Sequence, residues 1–137
     1  MKTVTIQGNR TRSNILIGER LENLYQYVPV SLPIIITDVN VQKNCPMDSM
    51  PGDIITIGTG EKIKTLKTVK DVYTQLVSLG ADRSSFIVGI GGGIVCDIAG
   101  FVASTFMRGV RFGFVATTLL AQVDASVGGK NGVNFNG

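Results

Sequence analysis

The chain has 137 residues, 44% of them apolar and 17% charged, with no Trp and no His. That length suffices for one domain, burying roughly two-thirds of the surface its unfolded chain exposes, and is too short for two. The composition is that of a globular protein and argues against disorder. Net charge is a mild +3 with a pI near 9.0. Lys62, Lys64, Lys67 and Lys70 form the densest basic stretch, but no aromatic residues interleave with it, as stacking on bases requires. It reads as a solvated helix face. No nucleic-acid partner is expected, and a small anionic ligand fits the charge equally well. Cys45 and Cys96 have neither metal-type nor redox-type spacing, so a reduced, cytoplasmic protein is expected. The N-terminus lacks an apolar signal core. No apolar run is long and glycine-free enough for a membrane span, so no membrane partner is expected.

Val4 and Ile6 alternate with polar residues, predicting a half-buried strand. Ile15-Leu16-Ile17 predicts a second strand, leading into Leu21, Leu24, Tyr25 and Val28 on one helical face. After Pro29 and Pro33 come two short β-branched runs, Ile34-Ile35-Ile36 and Ile54-Ile55-Thr56-Ile57. Continuous runs of this kind suit strands buried on both faces of a parallel sheet. Leu66, Val69, Val72, Tyr73, Leu76 and Leu79 have helical spacing, with Gly80 where a C-terminal cap belongs. Phe86-Ile87-Val88 predicts another buried strand, followed by Gly89-Ile90-Gly91-Gly92-Gly93 and an apolar helix to about Phe106. Phe112 to Ala116 predicts the last strand, with a helical stretch from Thr117-Thr118 through Val123. Strands alternating with helices define one α/β domain over 1–137, a Rossmann-like, mostly parallel sheet with helices on both faces.

Glycines after a strand let backbone N–H groups and a helix N-terminus face a pyrophosphate. The common dinucleotide pattern would place glycine at Ile94 and would fall in the first strand-to-helix turn; neither holds here. Two carboxylates stand alone in apolar surroundings. Asp97 is the only charged residue between Arg83 and Arg108, and Asp124 the only one between Arg111 and Lys130. An ionised carboxylate in such a stretch needs a partner. Asp97, placed in the first turn of its helix, either favours that helix's dipole or meets a ligand. Asp124, late in its helical stretch, gains nothing from the dipole and is expected to contact a ligand. Thr117 and Thr118 follow a strand, where hydroxyls either cap a helix or touch a nucleotide. Asp38 and Asn40 either grip ribose hydroxyls or make an Asx-type turn. By themselves Glu61, Lys64, Arg108 and Lys130 read as surface charges.

In series these segments become specific. Gly91-Gly92-Gly93-Ile94-Val95-Cys96-Asp97 with the helix through Met107-Arg108-Gly109, then Thr117-Thr118-Leu119-Leu120-Ala121-Gln122-Val123-Asp124, then Gly128-Gly129-Lys130, resemble the 3-dehydroquinate synthase family. The match is dense from 89 to 132. It is looser at Thr37-Asp38-Val39-Asn40-Val41 and Gly60-Glu61-Lys62-Ile63-Lys64, and faint before that. The resemblance implies a shikimate-pathway lyase converting 3-deoxy-D-arabino-heptulosonate 7-phosphate, a phosphorylated sugar acid, to 3-dehydroquinate and phosphate. It implies transient oxidation by NAD, phosphate elimination, re-reduction and aldol cyclisation, with the hydride chemistry belonging to the cofactor. It also implies a divalent metal, zinc or cobalt, as Lewis acid.

Carried over by position, Asp38 and Asn40 would contact the adenosine side of NAD, with Glu61 and Lys64 nearby. Gly92, Gly93, Ile94 and Asp97 would line the dinucleotide, and Thr117, Thr118 and Leu120 its nicotinamide half. Asp124 would lie between cofactor and substrate hydroxyls, and Lys130 beside the substrate's anionic groups near the nicotinamide. Arg108 would reach a phosphate across a homodimer interface. Three positions depart from the family pattern: Cys96 replaces a usual glycine, Ala125 a common serine and Asn131 a common threonine. The family's metal ligands, a glutamate and two histidines of a helical C-terminal domain, lie outside this chain, so no metal ligand is expected within it. A related sugar-phosphate cyclase, a more distant metal-dependent alcohol or glycerol dehydrogenase and a non-catalytic NAD-binding module are the alternatives.

Overall fold

The β-branched runs become strands because they suit backbone buried on both faces. In the computed structural model, which describes every residue except Arg10, Pro46, Asp48, Gly128 and Gly137, four of them make a parallel sheet. These are β3 (Ile34–Asp38), β4 (Asp53–Ile57), β5 (Phe86–Gly91) and β6 (Arg111–Ala116), in the spatial order β4-β3-β5-β6. The register sets Ile36 beside Ile55 on one side and Gly89 on the other. Side chains alternate between faces, so Ile34, Ile36, Ile55, Ile57 and Ile87 share a core with α2 (Leu66–Ser78) and α3 (Gly93–Thr105). Ile35, Val88 and Ile90 point the other way, onto Met47, Leu21, Leu24, Val28 and Val41. Ile35 and Ile36 are both fully buried, each contributing about 1.5–3 kcal/mol of hydrophobic stabilisation. Helical segments therefore cover both faces, as expected.

The helix ends follow local chemistry. Thr65 caps α2, its hydroxyl accepting from the Thr68 N–H at 3.3 Å. Gly80 closes α2 with φ 72°. The N–H of Ala81 donates to Leu76 O and that of Gly80 to Val77 O, the paired reverse bonds of a Schellman end. A short α1 (Val39–Asn44), which the periodicity does not predict, starts at Asp38, whose Oδ1 accepts from the N–H groups of Asn40 and Val41 at 2.8 and 2.9 Å. The Asx reading of that segment thus extends into a helix.

Three expectations change. The strands β1 (Lys2–Gln7) and β2 (Arg12–Ile17) form a separate antiparallel ribbon, and every residue of β1 is exposed rather than half-buried. Alternation reports that one face is apolar, not what covers it. The helical face from Leu21 is a 3-10 turn over Leu21–Gln26 that still delivers Leu21 and Leu24 to the core. The last helical stretch widens into a π-turn over Ala121–Ala125.

Candidate functional site

Sheet order decides where a ligand can enter. From β3 the chain goes to β4 on one side and then returns to β5 on the other. The loops leaving the C-terminal ends of β3 and β5 diverge, and open α/β sheets bind ligands in such a crevice. A cleft of about 570 Å³ lies there, a size suited to a cofactor. Its walls come from four strand ends. Asp38 and Asn40 follow β3; residues 58–61 and Lys64 follow β4; Gly92, Gly93, Ile94, Val95 and Asp97 follow β5; Thr118, Leu120, Asp124 and Ala125 follow β6.

The glycine turn is shaped by close contact. A Cβ on Gly91 would stand 2.5 Å from Val95 Cγ2, and one on Gly92 would stand 3.2 Å from Thr118 Cγ2. Gly92 is the N-cap of α3 and offers no side-chain cap. The first-turn N–H groups of a 13-residue helix therefore face the cleft without a side-chain acceptor, as anion binding requires. The N–H of Thr117 donates to Gly91 O at 2.9 Å, tying the β6 loop to this turn. Thr118 Oγ1 accepts from the Ala121 N–H at 3.3 Å, so it caps the following helical turn and lines the cleft at once.

Both isolated carboxylates have partners. Asp97 sits in the second turn of α3, not the first, because the helix begins at Gly93. Its Oδ2 is 2.5 Å from Lys64 Nζ, with side-chain exposures of 17% and 19%. Lys64 is therefore a half-enclosed counter-ion and not a surface charge. Asp124 Oδ1 lies 2.7 Å from Lys130 Nζ; that hydrogen bond, with the carboxylate charge, holds the Lys130 ammonium above its ordinary pKa. Both pairs line a second chamber of about 390 Å³ that shares Lys64, Asp97, Asp124 and Ala125 with the cleft and is lined also by Asn131 and Gly132.

Most of the expected residues meet. Asp38, Asn40, Glu61, Lys64, Gly92, Gly93, Ile94, Asp97, Thr118, Leu120 and Asp124 line the cleft, and Lys130 lines the second chamber. Thr117 lines neither. Arg108 stands at the opposite end of α3, about 20 Å from Gly92 by the rise of 13 helical residues. It occupies a left-handed run, with φ 51°, 69° and 108° at Met107, Arg108 and Gly109. Asn134 was not foreseen: its side chain donates to Glu61 Oε1 at 2.8 Å, and its N–H donates to Lys64 O at 2.8 Å. It fastens the C-terminal turn to the β4 loop, and no local pattern announces that link.

The family model described as 3-dehydroquinate synthase N-terminal matches residues 54–137, more than half of the chain. The chain belongs to the 3-dehydroquinate synthase family. It is 56% identical over 131 residues to a 3-dehydroquinate synthase of Ruminiclostridium cellulolyticum, covering 96% of this chain and 33% of that protein. It is 44% identical over 133 residues to one of Pyrococcus abyssi, covering 85% of this chain and 40% of that protein. The chain thus spans well under half the length of these relatives. A solved 2-deoxy-scyllo-inosose synthase, complexed with carbaglucose-6-phosphate, NAD+ and Co2+, superposes with a TM-score of 0.89 at 31% identity, over 98% of this chain and 41% of its own.

Two of the departures from the 3-dehydroquinate synthase pattern acquire a physical setting. Cys96 is fully buried behind the glycine turn, packed on Ala121 and Ala125, and does not line the cleft. Burial, with the charge of Asp97, pushes its thiol up to about 11. Ala125 lies in the floor, its Cβ 3.6 Å from where a Cβ on Gly93 would stand. Among the described residues, no three His, Cys, Asp or Glu side chains come together as a metal site. No helix among them is long and apolar enough to cross a membrane.

Proposed function

We propose that residues 1–137 are the NAD-binding domain of a 3-dehydroquinate synthase, acting on 3-deoxy-D-arabino-heptulosonate 7-phosphate to give 3-dehydroquinate and phosphate. The observation that carries this reading is the crevice at the strand ends. Four loops that carry the family motifs converge there on one cleft. The residues fit NAD: a side chain at Gly91 would collide with Val95 and one at Gly92 would crowd Thr118, the α3 N-terminus has no side-chain cap, and Asp38, Glu61, Asp97 and Asp124 line the same cleft.

In this reading Asp38, Asn40 and Glu61 hold ribose hydroxyls, and the N–H groups at Gly93 and Ile94 face the pyrophosphate. Asp97 and Lys64 stand between the two halves of the cleft, and Thr118 and Leu120 orient the nicotinamide end, with Thr117 buttressing that turn. When bound, NAD supplies a reversible hydride acceptor. Asp124 accepts a hydrogen bond from a substrate hydroxyl, and Lys130 meets an anionic group of the substrate. Arg108, remote within one chain, serves a phosphate from a second copy in a homodimer. Among the described residues no donor set fits a catalytic zinc or cobalt ion, which takes about three His, Cys or carboxylate ligands. The ion's ligands are assigned outside these residues.

A sugar-phosphate cyclase acting on a different sugar phosphate is the second reading, favoured by the 2-deoxy-scyllo-inosose synthase superposition. The higher identities to 3-dehydroquinate synthases weigh against it. Phosphate release by the full-length protein from the heptulosonate 7-phosphate and from glucose 6-phosphate decides between them. Turnover of glucose 6-phosphate alone overturns the first reading, and NAD titration that finds no binding overturns both.

A further inference from the structure

Residues 130–134 run from Lys130, paired with Asp124, to Asn134 beside the β4 loop. Two contacts seat this strap without help from the Asn134 side chain. The Asn131 amide fills the gap that Gly100 leaves on α3, where a Cβ on Gly100 would stand 2.3 to 2.4 Å from its Cγ, Nδ2 and Oδ1. The Asn134 N–H donates to Lys64 O at 2.8 Å, and Asn134 pairs with Thr65 in an isolated parallel bridge. The Asn134 side chain is therefore not needed to hold the strap down. It goes to Glu61, with Nδ2 donating to Oε1 at 2.8 Å. Glu61 lines the cleft, whereas Asn134 lines neither chamber.

Glu61 stands where a side chain is otherwise free to turn. It is exposed and opens a 3-10 turn over Glu61–Ile63, just after Gly60 with φ 87°. A long side chain that a ligand must first order weakens the binding of that ligand. A standing bond to Oε1 removes part of that loss beforehand. It also leaves Oε2 as an acceptor, and an ionised carboxylate accepts but cannot donate. The ligand group that suits it is a hydroxyl.

We propose that Asn134 is a positioning residue for cofactor binding, holding the Glu61 carboxylate ready to accept from a ribose hydroxyl of NAD. This inference rests on the NAD-binding reading above.

The test is NAD titration of the natural full-length protein, Asn134→Ala, Glu61→Ala and the double variant. Asn134→Ala should raise the NAD Kd about fivefold, the order expected when the ligand must order one long side chain. At saturating NAD, kcat and the sugar-phosphate KM should stay within about twofold of natural values. The ligand-free melting temperature should move by no more than about 2 °C, because the lost bond is exposed and the backbone ties remain. With Glu61→Ala already in place, Asn134→Ala should change Kd by less than about 1.5-fold, since no carboxylate is left to position. Asn134→Gln keeps the amide donor and should recover most of the affinity. Asn134→Asp sets a second carboxylate against Glu61 and should bind NAD more weakly than Asn134→Ala. An Asn134→Ala Kd within about 1.5-fold of the natural protein overturns the inference, as does an equal loss with and without Glu61. Affinity that falls only in step with melting temperature overturns it too. Should Asn134→Ala not fold, the isosteric Asn134→Asp must show the loss, and natural affinity there is equally fatal. A natural protein that binds no NAD overturns the reading of the cleft itself. One that binds NAD but is indifferent to position 134 overturns only the role of Asn134.

Discussion

Removing Asp97 should cost stability through one identifiable partner. Asp97→Ala leaves the Lys64 ammonium, 19% exposed, without the carboxylate 2.5 Å away. Exposed ion pairs contribute about 0–1 kcal/mol, whereas breaking a fully buried one costs about 3–5 kcal/mol. A pair with one-sixth to one-fifth of its surface in water falls between, at about 2 kcal/mol. Unfolding entropy of about 2.1 cal/mol/K per residue converts this, for 137 residues, to a melting point lower by about 7 °C. Lys64→Ala should cost less. The carboxylate it strands is only one turn from the α3 N-terminus, whose dipole returns a few tenths of a kcal/mol. The assay is urea unfolding of Asp97→Ala, Lys64→Ala and the double variant, closed as a thermodynamic cycle. A coupling of about 1–2 kcal/mol is expected. Additive losses, within about 0.5 kcal/mol, would show that the pair is a surface contact and that Asp97 is held by its helix alone. NAD titration of the same variants in the full-length protein should show weaker binding for Asp97→Ala.

Iodoacetamide at pH 8 should label the partly exposed Cys45 before the buried Cys96, with labelling followed by mass spectrometry; equal rates would refute the burial. Because the Cys96 thiol is raised from 9.0 to about 11 in the folded chain, only the unfolded state ionises there between those values. Stability should therefore fall as pH rises from about 9 to about 11, and Cys96→Ala should flatten that fall in pH-dependent melts. Lys130→Ala in the full-length protein should lower turnover by at least about tenfold, roughly 1.4 kcal/mol of transition-state stabilisation; natural kinetics would remove Lys130 from the site. The purified 137-residue chain should hold no stoichiometric zinc by metal analysis and form no dehydroquinate, since its histidine count is 0; one tightly bound zinc per chain would mean the metal site is misplaced.

The sequence by itself determined the strands, the two long helices and the family. Short β-branched runs such as Ile34-Ile35-Ile36 suit strands buried on both faces, and Gly80 marks the end of α2 through a left-handed turn that favours glycine. The stretch from 89 to 132 carries enough motif, in order, to name the chemistry expected. Local pattern could not say that β5 crosses back to lie beside β3, because strand order is set by how the layers cover one another. That crossing turns a glycine run arriving late in the chain into the wall of a central crevice. Nor could it join Lys64 to Asp97, Asn134 to Glu61 or Asn131 to Gly100, contacts spanning 33, 73 and 31 positions. A lysine alone reads as solvated surface. Only packing brings a carboxylate to it and encloses both, and only packing seats the Asn131 amide in the gap that Gly100 leaves on α3.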